Sequence, residues 1–153
     1  MREEKLHGKG RRRKMQKAVI VDMDGTLALF GKENPYDRDM SKDKLNYPVA
    51  VIVWMLNLTD LADVKILIVS GRKNKYLKDT EKWLKKHKII YKDIFMPRAD
   101  NDNRKDVIIK TEIYEKHIKD KYEVLFVLDD RNQVVELWRG LGLVCLQVAD
   151  GDF

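Results

Sequence analysis

Apolar and polar residues alternate in blocks along this chain. Short runs rich in Val, Ile and Leu predict buried strands at 18–23 (AVIVDM), 64–69 (VKILIV), 93–96 (DIFM), 123–128 (EVLFVL) and 143–148 (LVCLQV). Helical patterns lie between them at about 48–62, 74–88, 103–119 and 132–141. Pro48 suits a helix's first turn, and Gly140 and Gly142 suit a helix's end. Strand and helix alternate without an internal repeat. That order predicts a Rossmann-like three-layer α/β sandwich, a five-stranded parallel sheet with helices on both faces.

In such sheets ligands bind beyond the carboxyl ends of the strands, so the residues there carry the chemistry. The first run ends in Asp22-Met23-Asp24, followed by Gly25 and Thr26, and the second in Ser70-Gly71-Arg72. Arg98 follows the third, and the fourth ends in Asp129-Asp130-Arg131. Crowded carboxylates repel, so four of them on one rim need a reason other than stability. Oxygen ligands without spaced histidines point to a hard cation, Mg²⁺ rather than Zn²⁺. His7, His87 and His117 lack ligand spacing and read as surface or packing residues. Ser70 and the N–H groups after it could cradle phosphate oxygens, with a lysine completing the neutralisation. Spacing leaves both Lys105 and Lys110 open for that lysine, and Lys110 also fits an ordinary helix-surface pair with Asp106.

The set suits phosphoryl transfer. One of the paired aspartates would attack phosphorus and the other would move the proton. Gly25 permits unusual dihedrals, and the Thr26 hydroxyl can fix its neighbours. Met23 is expected to turn into the core and leave the backbone carbonyls around it free.

Charge changes the picture at one end only. The chain of 153 residues has 31 Lys and Arg against 25 Asp and Glu. Residues 1–17 hold eight of the former and two of the latter, which leaves the rest balanced at 23 of each. This predicts a basic, flexible tail over 1–17, either a polyanion-binding arm or a solubilising extension, and one folded domain over 18–153. The single cysteine, Cys145, excludes an intramolecular disulfide and reads as a small buried hydrophobe. The charged start does not read as a signal peptide, and the longest apolar run is too short to span a bilayer. No membrane association is expected, and a cytoplasmic setting is the default.

"DMDGTL", "SGR" and "LDDR" in this order resemble motifs one, two and four of the haloacid dehalogenase superfamily of phosphatases. From about residue 17 onward the chain resembles the 3′-phosphatase domain of the phage polynucleotide kinase–phosphatase family. The matching stretches are "KAVIVDMDGTLA", "NPYD", "IVSGR", "NRKDVIIKTEIYEKHI" and "LDDRNQVVELWRGLGLVCLQVADGDF". The resemblance implies Asp22 as nucleophile and metal ligand. It implies Asp24 as general acid–base, adding its backbone carbonyl to the metal, with Asp129 and Asp130 completing the Mg²⁺ site. Ser70, Gly71, Thr26 and a lysine, Lys110 by alignment, would bind the phosphate. Arg72, Arg98, Arg131 and Asp43 would contact substrate, and Lys32 stands where arginine is expected, without arginine's bidentate fork.

No G-x-x-x-x-G-K-[ST] motif occurs in the chain, so kinase activity is not expected of it. Only residues 25–47 could form an insertion after the first strand, enough for a small flap and too few for a large cap domain. An open rim admits nucleic acid 3′ ends, of DNA or RNA, and the flap's Lys, Arg, Tyr36 and Tyr47 suit phosphate contact and stacking. These expectations describe a phage-type polynucleotide 3′-phosphatase of nucleic acid repair, working through an aspartyl phosphate and, if phage-encoded, in a bacterial host. The alternatives are a phosphatase for small phosphomonoesters and, more remotely, a receiver-like or nucleic-acid-binding module.

Overall fold

The computed structural model describes residues 13–32, 34, 37–59 and 63–152. The expected tail up to residue 12, Tyr36 of the flap and the last residue, Phe153, lie outside them.

The chain forms β1 (Gln16–Val21), β2 (Ala28–Leu29), β3 (Lys44–Leu45), α1 (Tyr47–Leu58), β4 (Lys65–Val69), α2 (Leu77–Lys86) and β5 (Asp93–Phe95). It continues through α3 (Asp106–Ile113), β6 (Tyr122–Asp129), α4 (Asn132–Gly140) and β7 (Cys145–Gln147). The five long-range strands make one sheet in the order β5-β4-β1-β6-β7, every neighbouring pair parallel. The alternating blocks therefore build the expected α/β sandwich. β2 and β3 pair antiparallel on their own as a minimal ribbon, and this ribbon is the small flap after strand one.

Alternation within β1 divides the core. Val19 and Val21 face Val49, Val53, Trp83 and Leu84 of α1 and α2. Ala18 and Ile20 face Ile109, Ile113, Val135 and Trp138 of α3 and α4. Being covered on both faces, β1 has no polar side, which is why its sequence reads as a continuous apolar run. Fully burying each such aliphatic side chain stabilises the fold by about 1.5–3 kcal/mol. His87 and His117 are packing residues, tilted against Trp83 and stacked on Phe95 respectively.

Several boundaries differ from the pattern. β1 begins at Gln16, inside the expected tail, because Gln16 and Lys17 pair with Tyr122 and Glu123. It ends at Val21, so Asp22 and Met23 stand beyond the strand. α2 starts later than its apolar spacing, behind a 3₁₀ turn over Asn74–Tyr76. A π-helical turn, Tyr114–Ile118, takes the final part of the third expected helix. α1 begins with Pro48 in its first turn and ends at Leu58 rather than 62.

One irregularity positions the site. Between Ala18 and Val19 the register of β1 on β6 shifts, so that Ala18 pairs with Val124 and Val19 with Phe126. Leu125 is the extra residue. Without it Val127 would oppose Val21 and every later side chain of β6 would face the wrong layer. With it, Val21 pairs with Leu128, and the Asp22 N–H donates to the Leu128 carbonyl at 3.0 Å. Asp22 and Asp129 thus emerge side by side.

Candidate active site

Strand alternation, continued one step past Val21 and Leu128, aims Asp22 and Asp129 at the layer of α3 and α4. Both helices answer. Lys110 of α3 donates from Nζ to Asp22 Oδ1 and to Asp129 Oδ2, both at 2.8 Å. Trp138 of α4 donates from Nε1 to Asp129 Oδ2 at 3.1 Å. Asp129 Oδ1 accepts from the N–H groups of Asp130 and Arg131. Lys110 is only 2% exposed, so the surface-pair reading with Asp106 is overturned, whereas Lys105 is exposed at the start of α3. The two lysines that spacing could not separate are separated by the helix: only one points under the sheet's edge.

Thr26 completes the cluster. Its hydroxyl lies 3.3 Å from Asp22 Oδ2 and 3.2 Å from Asp130 Oδ1, and the residue is wholly buried. Gly25 turns the chain with φ +81°, and a Cβ there would lie 2.1 Å from Asp130 Oδ2. Only glycine allows that approach. Met23 is buried in the core as expected, but its carbonyl is not free, since the N–H groups of Thr26 and Ala28 donate to it.

One oxygen each from Asp22, Asp129 and Asp130 falls within 4.8 Å of the others. Lys110 is the cation that meets this triad, so its negative charge exceeds the positive. Burial, opposed by Lys110 and reinforced by Asp129 and Asp130, raises the Asp22 carboxyl well above its usual range. Burial and then Asp129 push Asp130 up to about 6. Burial works against charge on Lys110, yet Asp129 and Asp22 outweigh it and hold the ammonium above its ordinary value. The all-oxygen donor set and this excess of negative charge fit a hard divalent cation such as Mg²⁺.

Asp24 faces the opposite way and is not part of the triad. Its Oδ1 accepts from Arg72 Nη2 and from Arg38 Nη2, each at 2.6 Å, and Arg72 Nε lies 3.0 Å from its Oδ2. Burial would raise its carboxyl, but Arg72 first and Arg38 second bring it below the usual value. Asp43 binds both arginines, and Arg72 Nη1 donates to Thr80 of α2. Ser70 is buried beside them, its Oγ accepting from the Arg72 N–H at 3.2 Å and its own N–H donating to Phe95. Of the amides after Ser70 expected to cradle phosphate, that of Arg72 therefore already has a partner within the protein.

The arginines expected on substrate are bonded within the protein. Arg72, expected on substrate, is engaged with Asp24, Asp43 and Thr80. Arg98 donates to the carbonyls of Gly71, Asp102 and Arg104 and pairs with Asp106, so it braces the segment that follows β5. Arg131 also pairs with Asp106. All three still border a cleft of about 630 Å³, together with Asp22, Asp24, Lys110, Asp129, Asp130 and the half-buried rings of Phe30 and Tyr76. Lys32 is exposed and does not line it. Sequence reasoning missed Arg38, Asp106 and Trp138. None lies in a strand-end motif; Asp106 and Trp138 fall within stretches matched for other reasons, and Arg38 directly follows the matched "NPYD". Cys145 is buried, and burial pushes its thiol up to about 11, away from nucleophilic use.

Comparison with known proteins agrees with this geometry. The family described as polynucleotide kinase PNKP phosphatase domain matches residues 16–153. A putative bifunctional polynucleotide kinase/RNA ligase of Autographa californica nuclear polyhedrosis virus is 32% identical over 128 residues, 84% of this chain and 18% of that protein. A chain in the structure of the Pnkp1/Rnl/Hen1 RNA repair complex is 45% identical with a TM-score of 0.84, covering 91% of this chain and 44% of its own. A chain in another structure of the Pnkp1/Rnl/Hen1 complex is 42% identical with a TM-score of 0.86, covering 100% and 53% respectively. The chain thus spans about a fifth to a half of the length of these relatives. With the match running from the first strand to the C-terminal segment, the chain belongs to the polynucleotide kinase phosphatase domains, which are phosphoric monoester hydrolases of the haloacid dehalogenase class.

Proposed function

We propose that this domain is a Mg²⁺-dependent polynucleotide 3′-phosphatase that clears 3′-phosphates from nucleic acid ends during RNA repair. The observation that carries the reading is the division of the two motif-one carboxylates. Asp22 sits with Lys110 and two further acids, while Asp24, two residues on, sits with two arginines. The two carboxylates are thus held by separate partners, which lets one act on phosphorus beside a cation while the other handles the proton. RNA is favoured over DNA because the relatives include a putative kinase/RNA ligase and a chain of an RNA repair complex. By the same reasoning the domain works alongside end-joining activities, in its own polypeptide or another.

Asp22, Asp129 and Asp130 would hold the Mg²⁺ ion, which when bound offsets the charge of the phosphate oxygens and of the carboxylates around it. Asp22 Oδ attacks phosphorus and the bond from phosphorus to the 3′ oxygen breaks. Asp24, which Arg72 and Arg38 hold ionised in the free site, must first take up a proton as substrate binds; it then gives that proton to the leaving oxygen, and a 3′-hydroxyl and an aspartyl phosphate remain. Asp24 then takes a proton from water as the water attacks phosphorus, releasing inorganic phosphate and restoring Asp22. Lys110 orients Asp22 and lowers the barrier to bringing an anion beside it.

The test is phosphate release from a 3′-phosphorylated oligoribonucleotide, its DNA counterpart and the 3′-mononucleotide, with and without Mg²⁺. The oligoribonucleotide should have the highest kcat/KM, with no turnover in chelator. Asp22→Asn should abolish turnover and keep a native unfolding profile. A marked preference for the mononucleotide, or turnover by Asp22→Asn, would overturn the reading.

A further inference from the structure

The flap places two buried side chains, Arg38 and Asp43, beside Asp24 and Arg72. With Asp24 and Arg72 they close a ring of alternating charge. Arg38 Nε and Nη2 reach Asp43 at 3.0 and 2.8 Å, Arg38 Nη2 reaches Asp24 at 2.6 Å, and Arg72 Nη2 reaches both acids. Two guanidinium groups balance two carboxylates, so removing any one leaves the remaining three with an uncompensated buried charge. Arg72 arrives from the sheet and is tied to α2 through Thr80. Arg38 arrives from the flap, and its guanidinium lies 3.9 Å from the ring centre of Phe30, which borders the cleft. Asp43 is itself anchored, its carbonyl accepting from Trp83 Nε1 at 3.0 Å.

We infer that Arg38 is a positioning residue that fixes the orientation of the Asp24 carboxyl and couples it to the flap. Arg72 alone holds Asp24 from one side, through Nε and Nη2. Such a fork still allows the carboxyl to pivot about its own axis. The bond from Arg38 comes from a second element and removes that freedom. Lys32, where arginine was expected, is exposed, and the flap's arginine at the acid is Arg38 instead. A lysine could not replace it, because one ammonium cannot bind Asp24 and both oxygens of Asp43 in a single plane.

The inference rests on Asp24 being the proton donor, and the experiment separates the two. Two substrates are compared by kcat/KM, which counts steps only as far as the aspartyl phosphate: a 3′-phosphorylated oligonucleotide and p-nitrophenyl phosphate. The sugar oxygen needs a proton to leave, whereas nitrophenolate does not. Misplacing a general acid costs roughly 10²-fold or more where a proton is needed. Arg38→Ala should therefore lower kcat/KM on the oligonucleotide by about 10²-fold through kcat, with KM little changed. The loss on p-nitrophenyl phosphate should be roughly tenfold smaller or better. Arg38→Lys should fall between wild type and Arg38→Ala, and it carries the same comparison should the alanine variant fail to fold. Equal losses on both substrates, or no loss on either, overturn the role of Arg38. Asp24→Asn on the same pair tests the underlying reading: equal losses there remove the proton-donor assignment itself, whatever Arg38 does.

Discussion

Lys110 is the side chain on which the candidate site turns. It is buried, bonded to two acids at the ends of different strands, and held charged by them. Removing it leaves Asp22 and Asp129 facing each other in a site that water barely reaches. Breaking a buried pair in this way typically costs about 3–5 kcal/mol. Lys110→Met, close in volume, should lose about that much in urea unfolding without Mg²⁺ and should also lose turnover. A variant of wild-type stability would mean that Asp22 and Asp129 take up protons at no cost. The identity of this lysine was not legible from spacing, since Lys105 and Lys110 share one basic segment. Burial separated them.

Among elements, β6 and α4 act as a unit. The extra residue Leu125 sets β6 so that Asp129 lies abreast of Asp22, and α4 then delivers Trp138 beneath it. Trp138→Phe keeps an aromatic ring in the second core layer and deletes one donor to a buried carboxylate. The expected cost is about 1–3 kcal/mol, read from the midpoint of chemical unfolding, with the fold retained. No change in the midpoint would show that the bond to Asp129 contributes nothing. Neither the bulge nor this bond could be read from the pattern. A bulge changes register by one residue without changing composition, and a tryptophan on an apolar helix face looks like packing alone. α1 shows the opposite limit. Its sequence YPVAVIVWMLNL is apolar nearly throughout, so it predicts a helix but not which face is buried. Packing chose Val49, Ala50 and Val53 and left Met55 and Leu58 exposed.

Across the molecule, excess negative charge is concentrated at one rim of a body whose charges balance in total. A cation that binds the folded triad and not the unfolded chain must stabilise the fold, by about 2.7 kcal/mol at a hundredfold excess over its Kd. Thermal unfolding should therefore shift upward as Mg²⁺ is added and return on chelation. Asp130→Asn should flatten that response, because it removes one of the carboxylates proposed to hold the ion and part of the repulsion that raises Asp22. An unchanged Mg²⁺ response in that variant would exclude Asp130 from the ion's site. Among the described residues no helix is long and apolar enough to cross a membrane.

Periodicity and the order of the strand-end motifs determined the sandwich, the carboxyl edge as the candidate site, and Asp22, Asp24, Ser70, Asp129 and Asp130 as its candidate members. Those features are local. Each depends on a residue's place in its own strand, and a parallel sheet sends all strand ends to one side. The tertiary structure decided what depends on distance between elements. It brought Lys110 and not Lys105 to Asp22 and Asp129, bonded Arg72 and Arg98 within the protein at the cleft's edge, and brought in Arg38 from the flap and Trp138 from the last helix. Long side chains such as arginine and lysine reach several ångströms from their backbone, so their partners are set by packing geometry. A linear pattern carries no record of that geometry.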